Sequence, residues 1–167
     1  MEGFGKTASM YGWVCALKRG REMEGFGKAA SISRWLDMCL LKFEENYGRN
    51  IPDSEPDYSH IIGKSVRGTV DRPLGTPHPR YPELVYPINY GYVDGEFAGD
   101  GAEQDVYLFG AKDPLEKFEG KVIAVWHRFD DVEDKWIVSL DGGDLSDEEI
   151  LGGIFFQEQF FYGKLYR

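Results

Sequence analysis

Cysteine is scarce. Cys15 and Cys39 are the two in the chain, both in its first third and without the spacing of a metal-binding pair, so neither a framework of disulfides nor a cysteine-held metal can organise the fold. Free thiols in a reducing compartment, and hence a cytoplasmic protein, are the expectation. Positive charge is also in deficit: 19 Lys and Arg stand against 29 Asp and Glu, a net charge of -10. A nucleic acid or an anionic membrane needs a basic surface to displace its counterions, so both are poor partners for this chain. No apolar run approaches the ~20 residues of a membrane span, and Met10 to Leu17 is too short and too interrupted to read as a signal peptide. Histidine is rare as well, and His78 and His127 have no partner at ligand spacing, which leaves them structural or surface roles.

What is present suffices for one domain with an extension. The 167 residues are 42% hydrophobic, enough for a sizeable core. Met1 to Ser9 recurs almost unchanged as Met23 to Ser31, with Trp13 matched by Trp35 at the same offset. Two copies do not make a solenoid, and each Gly-Phe-Gly-Lys lacks the longer glycine spacing of a phosphate-cradling loop. Over 31–46, Ile32, Trp35, Leu36, Cys39, Leu40 and Phe43 fall at helical spacing, so an amphipathic helix is expected there. Its apolar stripe would pack on the domain or on a second copy in a homo-oligomer. The Pro-, Asp- and Gly-rich run from Tyr47 to Tyr58 reads as a linker, which divides the chain into an extension, 1–58, and a domain, 59–167.

Within that domain Ile61–Asp71, Val106–Phe109, Val122–His127 and Trp136–Leu140 read as short strands separated by turn signals. Many short strands at such spacing favour an antiparallel barrel or sandwich over parallel βαβ units. Ser146-x-x-Glu149 is a capping box, and the apolar residues from Ile150 to Phe161 predict a closing helix.

The stretch from Val85 to Val106 carries tyrosines and carboxylates on a segment punctuated by Pro87, Gly91, Gly95, Gly99 and Gly101, and so reads as a turn-rich site. Tyr86-Pro87-x-Asn89-Tyr90-Gly91-Tyr92, followed by Asp100-Gly101-x-x-x-Asp105, resembles the core motifs of the soluble family I inorganic pyrophosphatases. The resemblance covers roughly Val66 to Phe161. It implies a mainly β, α+β fold, a small OB-like antiparallel barrel with helices packed outside, and Mg²⁺-dependent hydrolysis of inorganic diphosphate, or a related phosphoanhydride, to orthophosphate. Such hydrolysis needs several phosphate oxygens neutralised and a water activated, and carboxylate-held Mg²⁺ can do both.

By the same resemblance Asp100 and Asp105 match two of the family's metal-binding aspartates, while Asp130 and Glu133 are the expected ligands from the acidic run Asp130 to Asp134. Lys135 matches a phosphate-binding lysine, and Tyr86 and Tyr90 match tyrosines lining the site. Arg80 is the further cation of the pattern, with Arg72 and Arg128 placed for bidentate phosphate contacts; surface salt bridging is the alternative for these two. Asp71 sits where the family has an acid ahead of a proline. Tyr162 and Lys164 lie near the family's C-terminal Tyr-Lys pair but out of register. One departure bears on activity: the middle aspartate of the triplet, associated with deprotonating the attacking water, is Ala102 here. Glu103 is the substitute base to consider, and loss of a general base costs about 10² to 10⁴ in rate. The alternatives are a relative that binds metal and a phosphate ligand without efficient turnover, and a purely structural subunit.

Overall fold

The computed structural model of the chain describes residues 55–167 together with Ser33, Arg34 and Asp37. Those three are helical and exposed, within the span expected to be a helix; the rest of 31–46, Cys15, Cys39 and the duplicated segment lie outside the described residues. The described chain then runs through β1 (Ser65–Arg72), β2 (Asn89–Phe97), β3 (Glu103–Phe109), β4 (Lys117–Arg128), β5 (Lys135–Ser139), α1 (Asp147–Glu158) and β6 (Gly163–Tyr166).

Neighbouring strands follow the order β1-β2-β3-β5-β4-β6, and β1 also pairs with β4. That second pairing closes five strands into a barrel and leaves β6 on its outside, along β4. The expected small barrel is present, with one correction: β3 and β5 are parallel, Val106 facing Trp136 and Leu108 facing Val138. The chain leaves β3, crosses to β4 and returns antiparallel to it as β5, inserted between the two. Two reversals make β5 run with β3, and the spacing of apolar runs carries no information about that insertion.

Both faces of the wall are buried. Val66, Val70, Val93, Val106, Leu108, Val122, Val125 and Val138 fill one side with Trp136 and Phe118, and Tyr58 joins them although the sequence places it in the linker. Tyr86, Tyr90, Tyr107, Phe109, Ala124, Trp126 and Ile137 face the other side, where Ile150, Leu151 and Ile154 of α1 cover them. This two-sided burial is why β3 and β5 appear in the sequence as continuous apolar runs rather than alternating ones.

Helix α1 starts at a capping box: Glu149 N–H donates to Ser146 Oγ at 3.3 Å, and Ser146 N–H donates to a Glu149 carboxylate oxygen at 2.8 Å. Burying Ile150, Leu151 and Ile154 against the wall stabilises the packing by about 1.5–3 kcal/mol per side chain. Gly153 is required there, since a Cβ would stand 2.6 Å from the ring of Phe109.

Two further expectations are corrected. The helix does not reach Phe161: after Glu158 the N–H groups of Phe160 and Phe161 bond back only to Gln157 and Glu158, the chain turns, and β6 pairs with β4. The segment Val85–Val106 is not a loop throughout, because β2 and β3 occupy most of it as a hairpin. Its Gly91 is not a turn residue; a Cβ there would lie 2.1 Å from the carbonyl oxygen of Thr69, so glycine lets β1 and β2 approach. Among the described residues, no helix is long and apolar enough to cross a membrane.

Candidate functional site

The β2–β3 hairpin and the start of β5 bring distant residues to one rim of the barrel. Tyr90 faces Tyr107 across the β2–β3 pair, and Asp105, two residues before Tyr107, lies on the same face of β3. The Tyr90 phenol donates to Asp105 Oδ2 at 2.6 Å. Lys135, the first residue of β5, is 2% exposed, and its Nζ donates to the same Oδ2 at 2.5 Å and to Glu133. Asp100, at the tip of the hairpin, lies near enough to Glu133 for each carboxylate to shift the other's proton affinity. Gln104 fixes the backbone on both sides, its Nε2 donating to Asp134 O at 2.6 Å and to Asp105 O at 3.0 Å. Four residues named from the motifs, Tyr90, Asp100, Asp105 and Lys135, therefore meet, with Glu133 from the acidic turn.

A second group adjoins them. Tyr86 packs 5.5 Å from Tyr90, centroid to centroid, and feels the charges of Arg72, Asp71 and Asp105. Arg72 is paired with Asp71 at 2.8 Å. Burial pushes the Tyr86 phenol up to about 12, and burial followed by the Asp105 charge puts Tyr90 well above its usual value. Both phenols thus stay neutral hydrogen-bond donors at any physiological pH. Burial raises Glu133, Lys135 opposing it and Asp100 adding to it. Burial likewise raises Asp71, with Arg72 opposing and the Asp105 charge adding. Asp100 is lowered, first by the N–H of Ala102 and then by Glu133.

Other expected site residues have partners of their own. Arg128 is 3% exposed and bonds through Nε and Nη2 to both oxygens of Glu158 at 2.8 and 2.7 Å, and through Nη1 to Asp131 at 2.8 Å. It is committed to the interior, because a buried guanidinium needs its donors satisfied. Asp130 accepts the N–H of Tyr162 at 3.0 Å. Glu103 accepts the N–H of Gly95 at 3.2 Å across the hairpin bulge. Arg80 is exposed, and its backbone N–H donates to His78 Nδ1 at 3.1 Å. His127 bonds Asp134 at 2.7 Å, and both meet Tyr58. Asn89 is fully buried: its Oδ1 accepts the N–H groups of Leu74 and Leu115, and its Nδ2 donates to Asp113 O, each at 3.0 Å, so it ties two loops together.

Sequence reasoning missed Glu158 and Tyr107. Glu158 is fully buried, takes two of the three Arg128 bonds, and accepts the Tyr107 hydroxyl as well. Its signal was a single acid in the aromatic run Phe155 to Phe161, a place where a carboxylate survives only with a partner.

The residues do not fit a resident Mg²⁺. Asp100, Asp105 and Glu133 offer the hard oxygens the ion prefers, but the place between Asp105 and Glu133 is taken by the Lys135 ammonium. Among the described residues no three His, Cys, Asp or Glu side chains close around a common point. Of the expected quartet of Asp100, Asp105, Asp130 and Glu133, Asp130 accepts the N–H of Tyr162 through Oδ1.

No family model and no curated protein matches the chain. Solved structures do. An inorganic pyrophosphatase from Neisseria gonorrhoeae matches at 21% identity over 62% of this chain and 81% of that one, with a TM-score of 0.48. Inorganic pyrophosphatase from Ehrlichia chaffeensis matches at 13% identity over 71% of this chain and 91% of that one, with a TM-score of 0.50. The likeness to the Ehrlichia enzyme, over 71% of this chain and 91% of that one, shows that this protein shares its fold.

Proposed function

We propose that the rim cluster binds and hydrolyses inorganic diphosphate, or a related phosphoanhydride, presented as its magnesium complex. The observation that carries this reading is the convergence of Tyr90, Asp105 and Lys135 from three strands, with Glu133 and Asp100 beside them. Asp71, Asp100, Asp105 and Glu133 outnumber Lys135 and Arg72, so a bare polyanion is repelled. A magnesium-bearing one offers the carboxylates a cation, while its free phosphate oxygens meet Lys135, Arg72 and the neutral phenols of Tyr86 and Tyr90. Asp105 keeps an oxygen for this: both of its donors use Oδ2, and among the described residues Oδ1 has none. In the reaction water adds to one phosphorus, the bridging P–O bond breaks, and two orthophosphates leave.

A second reading, binding without efficient turnover, is favoured by Ala102. No carboxylate occupies that position, and Glu103 is tied to Gly95 N–H. One assay separates the two. The purified chain with Mg²⁺ and diphosphate should release orthophosphate at least about 10²-fold faster than Asp105→Asn. Equal rates would discard the hydrolase reading, and calorimetric binding of diphosphate without release would select the second.

A further inference from the structure

We infer that Lys135 is the resident cation of this site and excludes a free divalent ion, which enters only together with a phosphate ligand. The inference deepens the proposed function and rests on it for the ligand. The ammonium is not a surface charge that happens to be near: Lys135 is 2% exposed, stands opposite Trp126 in the β4–β5 register, and its Nζ joins Asp105 of β3 to Glu133 of the turn. An ammonium has three protons to donate, and two are used here. Gln104 holds the backbone carbonyls of Asp105 and Asp134, so the two elements that supply the carboxylates and the lysine are tied to each other.

A divalent ion at the same carboxylates would face that ammonium at contact distance in a partly dry site, where like charges repel strongly. The ion can bind alone only if Lys135 withdraws, and a buried lysine with no partner is costly. A phosphate changes the balance, because its oxygens give the ammonium a new partner as the ion takes the carboxylates. Metal and phosphate then bind with positive coupling, and each raises the affinity of the other by the same factor.

The test follows Mn²⁺ binding to the full chain by the loss of the free-ion electron paramagnetic resonance signal, at neutral pH, in three titrations. Wild type with Mn²⁺ alone should bind weakly. Wild type with Mn²⁺ and imidodiphosphate, corrected for the complex those two form without protein, should bind at least about tenfold tighter. Lys135→Gln with Mn²⁺ alone should also bind at least about tenfold tighter than wild type. Tight binding of Mn²⁺ alone to wild type, lost in Asp105→Asn, would overturn the inference whether or not the lysine variant folds. So would a folded Lys135→Gln no tighter than wild type. If imidodiphosphate changes nothing while Lys135→Gln gains the ion, the exclusion by lysine stands and the phosphate reading is what has failed.

Discussion

Two buried cations flank the same turn, 129–134, and they have been put to different uses. Arg128 closes β4 and Lys135 opens β5. Each holds one carboxylate from the turn, Asp131 or Glu133, and one from across the fold, Glu158 or Asp105. Each distant carboxylate also accepts a tyrosine hydroxyl, from Tyr107 or Tyr90, and those two rings pack edge to face at 4.9 Å. The difference is water. Glu158 is wholly buried, and the ring of Phe161 lies 3.6 Å from the Arg128 guanidinium, whereas the side chains of Asp105 and Glu133 are 29% and 24% exposed. The guanidinium, planar and bidentate, suits the sealed pair; the ammonium, a compact point charge, suits an open one whose partner can be exchanged.

The sealed centre should therefore carry stability. Glu158→Gln leaves the buried Arg128 only the partly exposed Asp131 as counter-charge, which should cost about 3–5 kcal/mol and lower the denaturation midpoint sharply. Replacing both partners with apolar residues should recover most of that loss, because the price of burying two charges disappears with them. A cost below about 1 kcal/mol for Glu158→Gln would mean that the pair is no more than a surface bridge, and the contrast with Lys135 would collapse.

These centres also mark what the sequence could disclose. Strands β3, β4 and β5 and the capped helix are legible, because two-sided burial, turn residues and a capping box leave local signals. Strand β2 was hidden behind Gly91, a residue that punctuates turns and here permits close strand approach. Tyr90, Asp100, Asp105 and Lys135, singled out from separate motifs, are neighbours on one rim of the barrel. The acidic turn resisted reading, because adjacency in the chain does not say which way a side chain faces. Asp130 turns to the Tyr162 N–H, Asp131 to Arg128, Glu133 to Lys135 and Asp134 to His127 and Tyr58.

A smaller effect sharpens the functional side. Ala102 is exposed, in the turn between β2 and β3, with its N–H donated to Asp100 and its carbonyl accepting Ala98 N–H. The turn is held by backbone bonds, so Ala102→Asp is accommodated without refolding it. If the open centre lacks only a base, phosphate release should rise about tenfold or more. No rise would locate the deficiency in the open centre itself and would favour ligand binding as its role.

The finest test separates the two centres by proton affinity, in metal-free protein, from the carboxyl ¹³C shifts of Glu133 and Asp131. Burial pushes Glu133 above its ordinary 4.5, with Lys135 opposing and Asp100 assisting. For such a group the stabilising contribution is full at low pH and is lost as pH rises through the folded-state pKa. Burial also pushes Asp131 up, but the bonds from Arg128 and from Val132 N–H outweigh it and hold the group below 3.8. Its contribution is present above the unfolded pKa and is lost as pH falls through the folded one. On acidification Glu133 should take up its proton first and loosen its hold on Lys135 while Asp131 still grips Arg128. Coincident or reversed midpoints would show that the two cations hold their turn carboxylates alike, since the same turn supplies both and their side chains are similarly exposed, 28% for Asp131 and 24% for Glu133.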